Sequence, residues 1–394
     1  MERIAVFLCS LGALNAIYAN IIVSLVILLI LPLRKGKAVM FNGASEAPFW
    51  LLFFFGLIYV GFGELTIRGI EFYLFTPIIA YLSGWSMIEN AEDGEKIALE
   101  ILYLIAFAHG VHAFLNYITN IGKERWLLTD FFSGSIRAAT GSGMLNTMVV
   151  SLFPCFLFVE KRKKYRVPGF ALSCIAVMYG LLLGTRTQFI IMAMMTIIVA
   201  PLYFREKYGW TGAFRLMGIC LVVGAISMAM YNSNIGGIRA TIEHSNLFQR
   251  FNSTVELTNA DNYRFESVFR GITRVFEYPF GGLKYTSYYH NMWLDVGRVS
   301  GLIPMVLLML YSINTTIHMW RLFRDQTCSV ELRYACLSIY GGILINFFME
   351  PILEGLIEYF LMFCRINGMV DFLYYSHLYR RQNQERHPVR DRYR

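Results

Sequence analysis

The sequence is poor in charged residues. Asp, Glu, Lys and Arg make up 16% of its 394 residues, whereas soluble proteins average about 25%. Hydrophobic residues make up 56%, and the mean hydropathy is +0.48. Apolar runs repeatedly approach the roughly 20 residues that a helix needs to cross a membrane. This composition excludes an ordinary soluble protein and predicts a polytopic membrane protein.

Several familiar signatures are missing. The alternating pattern of a membrane β-barrel does not occur, so the spans are predicted to be helices, whose backbone groups are all paired in lipid. A P-loop, a dinucleotide glycine fingerprint, an HExxH motif and a nucleophile elbow are also absent, which argues against ATP-driven, redox and protease functions. Seven cysteines are present, but they lie in predicted spans or on the predicted cytoplasmic side, so no disulfide framework is implied.

The distribution of basic residues indicates how the chain is oriented in the membrane. The net charge is +8, yet the basic residues lie mainly in short loops between apolar runs and in the tail, so no nucleic-acid partner is expected. The basic loops 34–37, 160–166 and 321–333 and the Arg-rich tail from Arg380 are predicted to be cytoplasmic. Eleven spans are predicted, near 5–33, 49–63, 70–88, 97–118, 144–159, 168–185, 187–204, 212–231, 291–318, 334–349 and 356–375.

The predicted fold class is all-α, a polytopic transmembrane helical bundle. The first apolar run is long enough for two helices, so twelve spans is a variant, and this run is expected to be a retained anchor. Residues 1–394 form one integral membrane domain, in which 232–290 is a large external loop between late spans and 376–394 is a basic cytoplasmic tail. Within the loop, 262–275 shows an amphipathic helical pattern.

Arg186 stands between two long apolar runs with almost no loop. An arginine at the membrane edge is costly unless it meets an anion, an acid or a water-filled cavity, so it is a functional candidate. The alternative is an arginine that extends its side chain to the interface.

The external loop is rich in basic residues. Arginine is the preferred bidentate partner of phosphate oxygens, so these residues suit a pyrophosphate headgroup. Acids occur among them, and a solvated loop of mixed charge is therefore the alternative. Arg270 and Arg274 are four residues apart on a predicted helix, where like charges repel unless an anion binds between them. The basic residues are Arg239, Arg250, Arg264, Arg270, Arg274 and Lys284.

His290 lies where the next span is predicted to begin, and Asn291 follows it. A lone histidine is commonly structural, but a neutral imidazole is the natural acceptor of a hydroxyl proton. Asp295 and Arg298 are predicted to pair along the same helix. Glu350, near the outer end of a later span, is a second candidate base.

Three separated segments resemble the O-antigen polymerase (Wzy) and O-antigen ligase superfamily. Residues 183–186, LGTR, resemble the Ser-Arg or Thr-Arg element between two spans. Residues 262–264 with 279–282 resemble an Arg-led external helix that closes on a Pro-x-Gly turn. His290-Asn291 with Gly301 resembles the ligase motif His-Asn-x9-Gly-x-x-Gly, except that its last position is Pro304.

The resemblance implies a membrane glycosyltransferase of the GT-C type in the bacterial cytoplasmic membrane. It would join undecaprenyl-pyrophosphate-linked oligosaccharide repeat units into O-antigen or capsular polysaccharide, with its active site facing the periplasm or exterior. No cofactor and no metal are implied, because the polyprenyl pyrophosphate is itself the leaving group. The implied partners are the lipid-linked oligosaccharide, membrane lipids and a protein that regulates chain length.

The resemblance also implies roles for individual residues. Arg186 and Arg264 would bind the pyrophosphate and stabilise charge on the leaving oxygen, with Arg270 as a helper. His290 would accept the proton of the acceptor hydroxyl. Arg274, Asn291 and Glu350 are further candidates.

Two other functions remain open from the sequence. An O-antigen ligase would use the same donor and transfer the glycan to lipid A-core. A transporter of lipid-linked glycans is the alternative without catalysis, but it predicts broken or charged helices in paired halves and no large external loop.

Overall fold

The computed structural model describes residues 19–34, 42–63, 65–136, 138–248 and 254–386. These residues form helices and connecting loops with no β-strand among them, which confirms the predicted all-α class. Buried apolar side chains from most of the helices join into one continuous core. The start of the first predicted span and the end of the basic tail lie outside the described residues.

The helices follow one another with short connections. The first half contains α1 Ala19–Arg34, α2 Ala47–Gly63, α3 Thr76–Glu89, α4 Gly94–Asn120, α5 Ala139–Ser151, α6 Lys163–Leu183 and α7 Thr187–Asn232. The π-helical segment Ile70–Phe75 leads into α3, and a second one, Cys155–Val159, follows α5. The second half contains α8 Ile238–Glu243, α9 Thr254–Glu277, α10 Met292–Ser300, α11 Leu302–Arg324, α12 Val330–Met349, α13 Ile352–Gly355 and α14 Ile357–Arg386.

Six helical segments in the described part of the chain are long and apolar enough to cross a membrane. They support a multi-pass membrane protein, while the count of eleven or twelve spans stays a prediction. Two shorter apolar segments, Ile21–Ile30 and Ala47–Gly63, coincide with predicted spans. The six are Gly94–Asn120, Ala139–Val159, Lys163–Leu183, Thr187–Asn232, Leu302–Arg324 and Val330–Met349.

Helix α7 consists of two arms. A straight helix of its 46 residues would be about 69 Å long, more than twice the thickness of a hydrocarbon core. Gly209 interrupts it with a non-helical backbone (φ 69°, ψ −168°). The break lies between the two spans that the hydropathy predicts, at 187–204 and 212–231.

The predicted span 291–318 is divided where a single helix was expected. Gly301, with φ 91° and ψ −174°, ends α10 and begins α11. The turn after α9 docks at this break, because the N–H of Leu302 donates to the carbonyl oxygen of Pro279 at 2.8 Å. A Cβ atom on Gly301 would lie 2.2 Å from that oxygen. Gly301 therefore supplies a backbone break and room for the turn.

Contacts between loops define two ends of the bundle. At one end, which we call the basic end, Glu95 Oε2 accepts a hydrogen bond from the N–H of Ser329 at 2.8 Å. Lys161 and Glu331 pair there at 3.3 Å. The basic end thus joins 160–166 and 321–333, two of the loops that charge counting assigns to one side, with the acidic loop 89–96.

The opposite end, which we call the site end, joins the other set of loops. Arg125 Nε donates to the carbonyl oxygen of Leu183 at 3.0 Å, and Asn246 Nδ2 donates to that of Leu182 at 2.6 Å. The loop after α4, the turn between α6 and α7 and the segment after α8 therefore meet. The orientation of the two ends across the membrane stays a prediction.

Gly301→Ala should destabilise the protein more than Gly282→Ala. Both glycines have φ near 90°, but a Cβ atom on Gly282 meets no atom within 4 Å. Gly282→Ala should therefore cost about 1 to 2 kcal/mol through backbone strain alone, and Gly301→Ala should cost more because it also clashes with Pro279. Thermal unfolding of the two variants in detergent measures the difference. An equal fall in unfolding temperature in the two variants would contradict the close packing of Gly301 against Pro279.

Candidate functional site

The turn between α6 and α7 holds Arg186 at the site end. Gly184 adopts a left-handed conformation (φ 66°, ψ 31°) and ends α6. Its N–H donates to the carbonyl oxygen of Gly180 at 3.0 Å, so the chain reverses within three residues. Arg186 is the N-cap residue of α7, and its side chain is half-buried. The arginine is thus fixed at the edge of two packed helices.

A path of buried polar side chains leads from this turn to the end of α12. Gln188, on the first turn of α7, accepts a hydrogen bond from Asn146 Nδ2 on α5 at 3.3 Å. Thr147, which follows Asn146 on α5, accepts a hydrogen bond from Asn346 Nδ2 on α12 at 2.6 Å. Asn346 lies one turn before Glu350, and the N–H of Glu350 donates to the carbonyl oxygen of Asn346 at 2.9 Å. The path fixes the position of Glu350 relative to the arginine turn.

Glu350 faces His290. Its Oε2 atom lies 3.9 Å from Nδ1 of His290. The carboxylate side chain is 6% exposed and the imidazole side chain 27% exposed, so the acid lies behind a histidine that solvent can reach. This is the arrangement in which a carboxylate orients a general base. At 3.9 Å the contact is longer than a hydrogen bond, and such contacts commonly tighten when a substrate binds.

The backbone of His290 is strained. Its φ of 53° is left-handed, and within the described ranges only Asn234 shares this feature among residues other than glycine. The left-handed conformation costs roughly 1 to 2 kcal/mol for an L-residue with a Cβ atom. Strain of this kind persists only where the surroundings impose it, and it is concentrated at functional sites. The strain marks His290 independently of any motif.

Asn291 caps α10. Its side-chain Oδ1 accepts a hydrogen bond from the N–H of Leu294 at 3.1 Å. Asp295 Oδ1 accepts one from the N–H of Tyr289 at 2.9 Å, on the other side of the histidine. These bonds hold the backbone before and after His290. Within the described contacts, Asn291 positions the helix start and not a substrate.

Arg298 ties the segment before α10 to α10 itself and to α13. Its side chain is fully buried and pairs with Asp295 at 3.2 Å, as the sequence predicts, and also with Glu354 of α13. Its Nη1 donates to carbonyl oxygens of the segment 283–289, and its guanidinium lies 5.2 Å from the centre of the Tyr288 ring. The acceptors are those of Leu283 at 3.0 Å, Lys284 at 2.6 Å and Thr286 at 3.2 Å. We call this set of contacts the Arg298 clamp.

Arg270 and Arg274 line a cavity whose wall extends to Tyr289, the residue before His290. The cavity has a volume of about 250 Å³, and the aromatic residues Tyr288 and Tyr289 form another part of its wall. Both arginines are largely exposed, and each lies near an acid of its own helix, Arg270 near Glu266 at 3.9 Å and Arg274 near Glu277 at 3.5 Å. Burial raises the pKa of Tyr289, so its phenol keeps its proton at neutral pH. The cavity therefore offers two cations and hydroxyl groups, which suits an anionic ligand.

The described lining of this cavity does not include Arg186 or Arg264. Arg264 lies in α9, seven residues before Gly271, and its side chain is outside the described residues. Gly271 itself packs against the ring of Tyr289, since a Cβ atom there would lie 2.8 Å from it. Gln188, two residues after Arg186, begins the polar path that leads to Glu350.

Comparison with protein-family models and with curated proteins finds no match to this chain. The site therefore rests on its geometry, in which Glu350 faces His290 and the preceding residue, Tyr289, lines the cavity of Arg270 and Arg274. The role of Arg298 beyond its pair with Asp295 could not be read from the sequence, because its carbonyl partners lie in an irregular segment.

Arg298→Lys should loosen the segment 283–289. A lysine has three donors and no planar fork, so it cannot satisfy three carbonyls and two carboxylates together. We expect a loss of roughly 1 to 3 kcal/mol in the free energy of unfolding and faster tryptic cleavage after Lys284. Arg274→Lys is the matched control, because this exposed arginine should tolerate lysine within about 0.5 kcal/mol. Unchanged cleavage in Arg298→Lys would contradict the clamp.

Proposed function

We propose that this chain is a membrane glycosyltransferase of the GT-C type. It polymerises undecaprenyl-pyrophosphate-linked oligosaccharide repeat units into O-antigen or capsular polysaccharide at the outer face of the bacterial cytoplasmic membrane. The observation that carries the proposal is the strained His290, which is backed by Glu350 and directly follows Tyr289 in the wall of the cavity that Arg270 and Arg274 line. A base beside a cationic pocket suits the attack of a hydroxyl on a carbon that bears a pyrophosphate.

The arginines serve the leaving group. Arg270 and Arg274 provide two cations within hydrogen-bonding reach of one cavity, and Arg186 and Arg264 are the further arginines that the family resemblance implies. Fixed cations act where negative charge develops on the leaving oxygen, and loss of one such group typically costs about 100-fold or more in rate. Since arginines can neutralise a pyrophosphate, this transfer needs no metal.

His290 serves the acceptor. The acceptor hydroxyl oxygen bonds to the anomeric carbon of the donor sugar, while the bond from that carbon to the pyrophosphate oxygen breaks. The hydroxyl proton passes to His290, and the electron pair of the broken bond leaves with the polyprenyl pyrophosphate. Glu350 orients the imidazole and balances the charge that it gains. The nascent chain is the donor, so it grows at its reducing end.

An apolar groove beside the site suits the polyprenyl chain. It has a volume of about 350 Å³ and lies between α10, α11 and α12. Trp293 borders it and contacts the ring of Phe348, with ring centres 4.7 Å apart, two residues before Glu350. A lipid chain in this groove would place its pyrophosphate end near the site. The remaining lining residues are Met309, Ser312, Ile313, Thr316, Ile317 and Leu344.

A ligase is the second candidate, favoured by one observation. His290, Asn291 and Gly301 keep the ligase-type spacing, and all three have distinct structural roles at the start and end of α10. A ligase would use the same donor site and differ in its acceptor, lipid A-core. The choice of acceptor in vitro separates the two functions.

The test is polymer formation by the purified protein. The protein in detergent, supplied with a polyprenyl-pyrophosphate repeat unit, should yield a ladder of products of increasing length, with or without EDTA. His290→Gly removes the imidazole and also relieves the backbone strain, so the variant should fold at least as well and lose about 100- to 10,000-fold in rate. His244 is an exposed histidine at the C-terminal end of α8, and His244→Ala should retain full activity.

A ladder from His290→Gly at the wild-type rate would remove His290 from the mechanism. Transfer to lipid A-core without a ladder would make the protein a ligase. Glycan movement across vesicles without any transfer would make it a transporter.

Filling the groove should weaken donor binding. Ile313→Trp introduces a larger side chain at a lining position, where overpacking typically costs about 1 to 3 kcal/mol. The KM for the lipid-linked donor should rise roughly 5- to 100-fold with little change in kcat, because the reacting groups are untouched. Met194→Trp is the control, at an exposed apolar position of α7. An unchanged KM would exclude this groove as the lipid site.

A further inference from the structure

A second cluster of reactive side chains lies at the basic end, away from His290. Glu95 is on the first turn of α4, Cys328 is in the loop between α11 and α12, and His377 is on α14. The possible ligand atoms of these three side chains all lie within 4.8 Å of one another. Cys328 and His377 are buried, with 3% and 8% of their surface exposed. Three elements far apart in sequence thus converge on one point.

The distances fit the edges of a metal tetrahedron. Zinc bonds to nitrogen and oxygen at about 2.0 to 2.1 Å and to sulfur at about 2.3 Å, so ligand atoms around it lie roughly 3.3 to 3.6 Å apart. The Oε1 atom of Glu95 lies 3.4 Å from Nε2 of His377. The Sγ atom of Cys328 lies 3.8 Å from the same nitrogen and 3.6 Å from Nδ1. Because the sulfur is about equally far from both ring nitrogens, a rotation of the Cys328 side chain or of the imidazole is needed to bring all three ligand atoms around one ion.

The surroundings orient these ligands. Asp325 Oδ2 lies 3.3 Å from Nδ1 of His377, on the far side of the ring, and its Oδ1 accepts bonds from the N–H and hydroxyl of Thr327 at 3.0 Å and 2.7 Å. The second oxygen of Glu95 accepts the N–H of Ser329. A histidine that binds a metal commonly donates its other N–H to a carboxylate in this way.

The fourth position of the tetrahedron can be filled from solvent. A cavity of about 380 Å³ adjoins the cluster, and Asp325 and His377 form part of its wall together with Arg321 and Arg324. Water or a small anion can therefore reach an ion at this point. Thiolate, imidazole and carboxylate together favour zinc over calcium or magnesium, which prefer oxygen ligands alone.

We propose that Glu95, Cys328 and His377 bind one zinc ion and that Asp325 positions His377 for this role. The ion joins the start of α4, the loop between α11 and α12, and α14 at the basic end. It stabilises the folded bundle, because a site assembled from three distant elements does not exist in the unfolded chain. The polymerising site is at the opposite end, so the proposal does not depend on the proposed function.

The test measures metal content and not catalysis. The full-length protein in detergent is stripped with a chelator, dialysed against zinc and assayed for bound metal. The wild-type protein should hold about one zinc per chain, and its unfolding temperature should fall when the chelator is added. Cys328→Ser and His377→Ala should lose the bound zinc, and Asp325→Asn should bind it about 10- to 100-fold more weakly. Cys174→Ser, at an exposed cysteine, should bind as the wild type does.

Cobalt provides a second readout that does not depend on stability. Cobalt in the site should give sulfur-to-metal charge-transfer absorption that Cys328→Ser abolishes, and size-exclusion chromatography shows that the variant is folded. If the wild-type protein binds no more zinc than Cys328→Ser, the proposal is wrong. In that case the contacts of His377 with the carboxylates of Glu95 and Asp325 serve only to pack α14 against the loops of the basic end.

Discussion

One buried arginine determines the shape of the site. A guanidinium is costly to bury unless its donors are all satisfied, and Arg298 meets this condition with two carboxylates and three carbonyl oxygens. Leu283, Lys284 and Thr286 of the segment 283–289 supply the three carbonyl oxygens. The clamp therefore holds the wall of the arginine-lined cavity and the residue that follows the segment, His290. Relaxation of the strained histidine would require the clamp to open.

The two ends of the bundle have different chemistry for a physical reason. At the site end, backbone breaks at Gly184 and Gly301 let short segments pack closely, which brings polar groups from distant helices to one place. At the basic end, ionisable side chains of the loops pair with one another, as Lys161 does with Glu331. Catalytic chemistry is proposed at the first end and a stabilising ion at the second.

The helices could be predicted from the sequence, and the breaks only in part. Hydropathy predicts the bundle because each apolar run must span or be buried. The two arms of α7 are predictable too, since a run of this length exceeds one span. The division at Gly301 was missed because 291–318 is predominantly apolar and long enough for one span, and the docking of Pro279 explains it.

The candidate site could also be predicted only in part from the sequence. Arg270 and Arg274 were predicted as candidates from their spacing, and the structure places both at one cavity. The pairing of His290 with Glu350, and that of Glu95 with His377, joins residues far apart in the chain. Such contacts depend on how the helices pack, which local patterns do not encode.

The most direct measurement is an electron cryomicroscopy map of the protein with bound polyprenyl pyrophosphate. Phosphate density in the cavity of Arg270 and Arg274, with the lipid chain between α11 and α12 and His290 facing the sugar-bearing phosphate, is the expected result. Phosphate density elsewhere, with this cavity filled only by solvent, would contradict the proposed site.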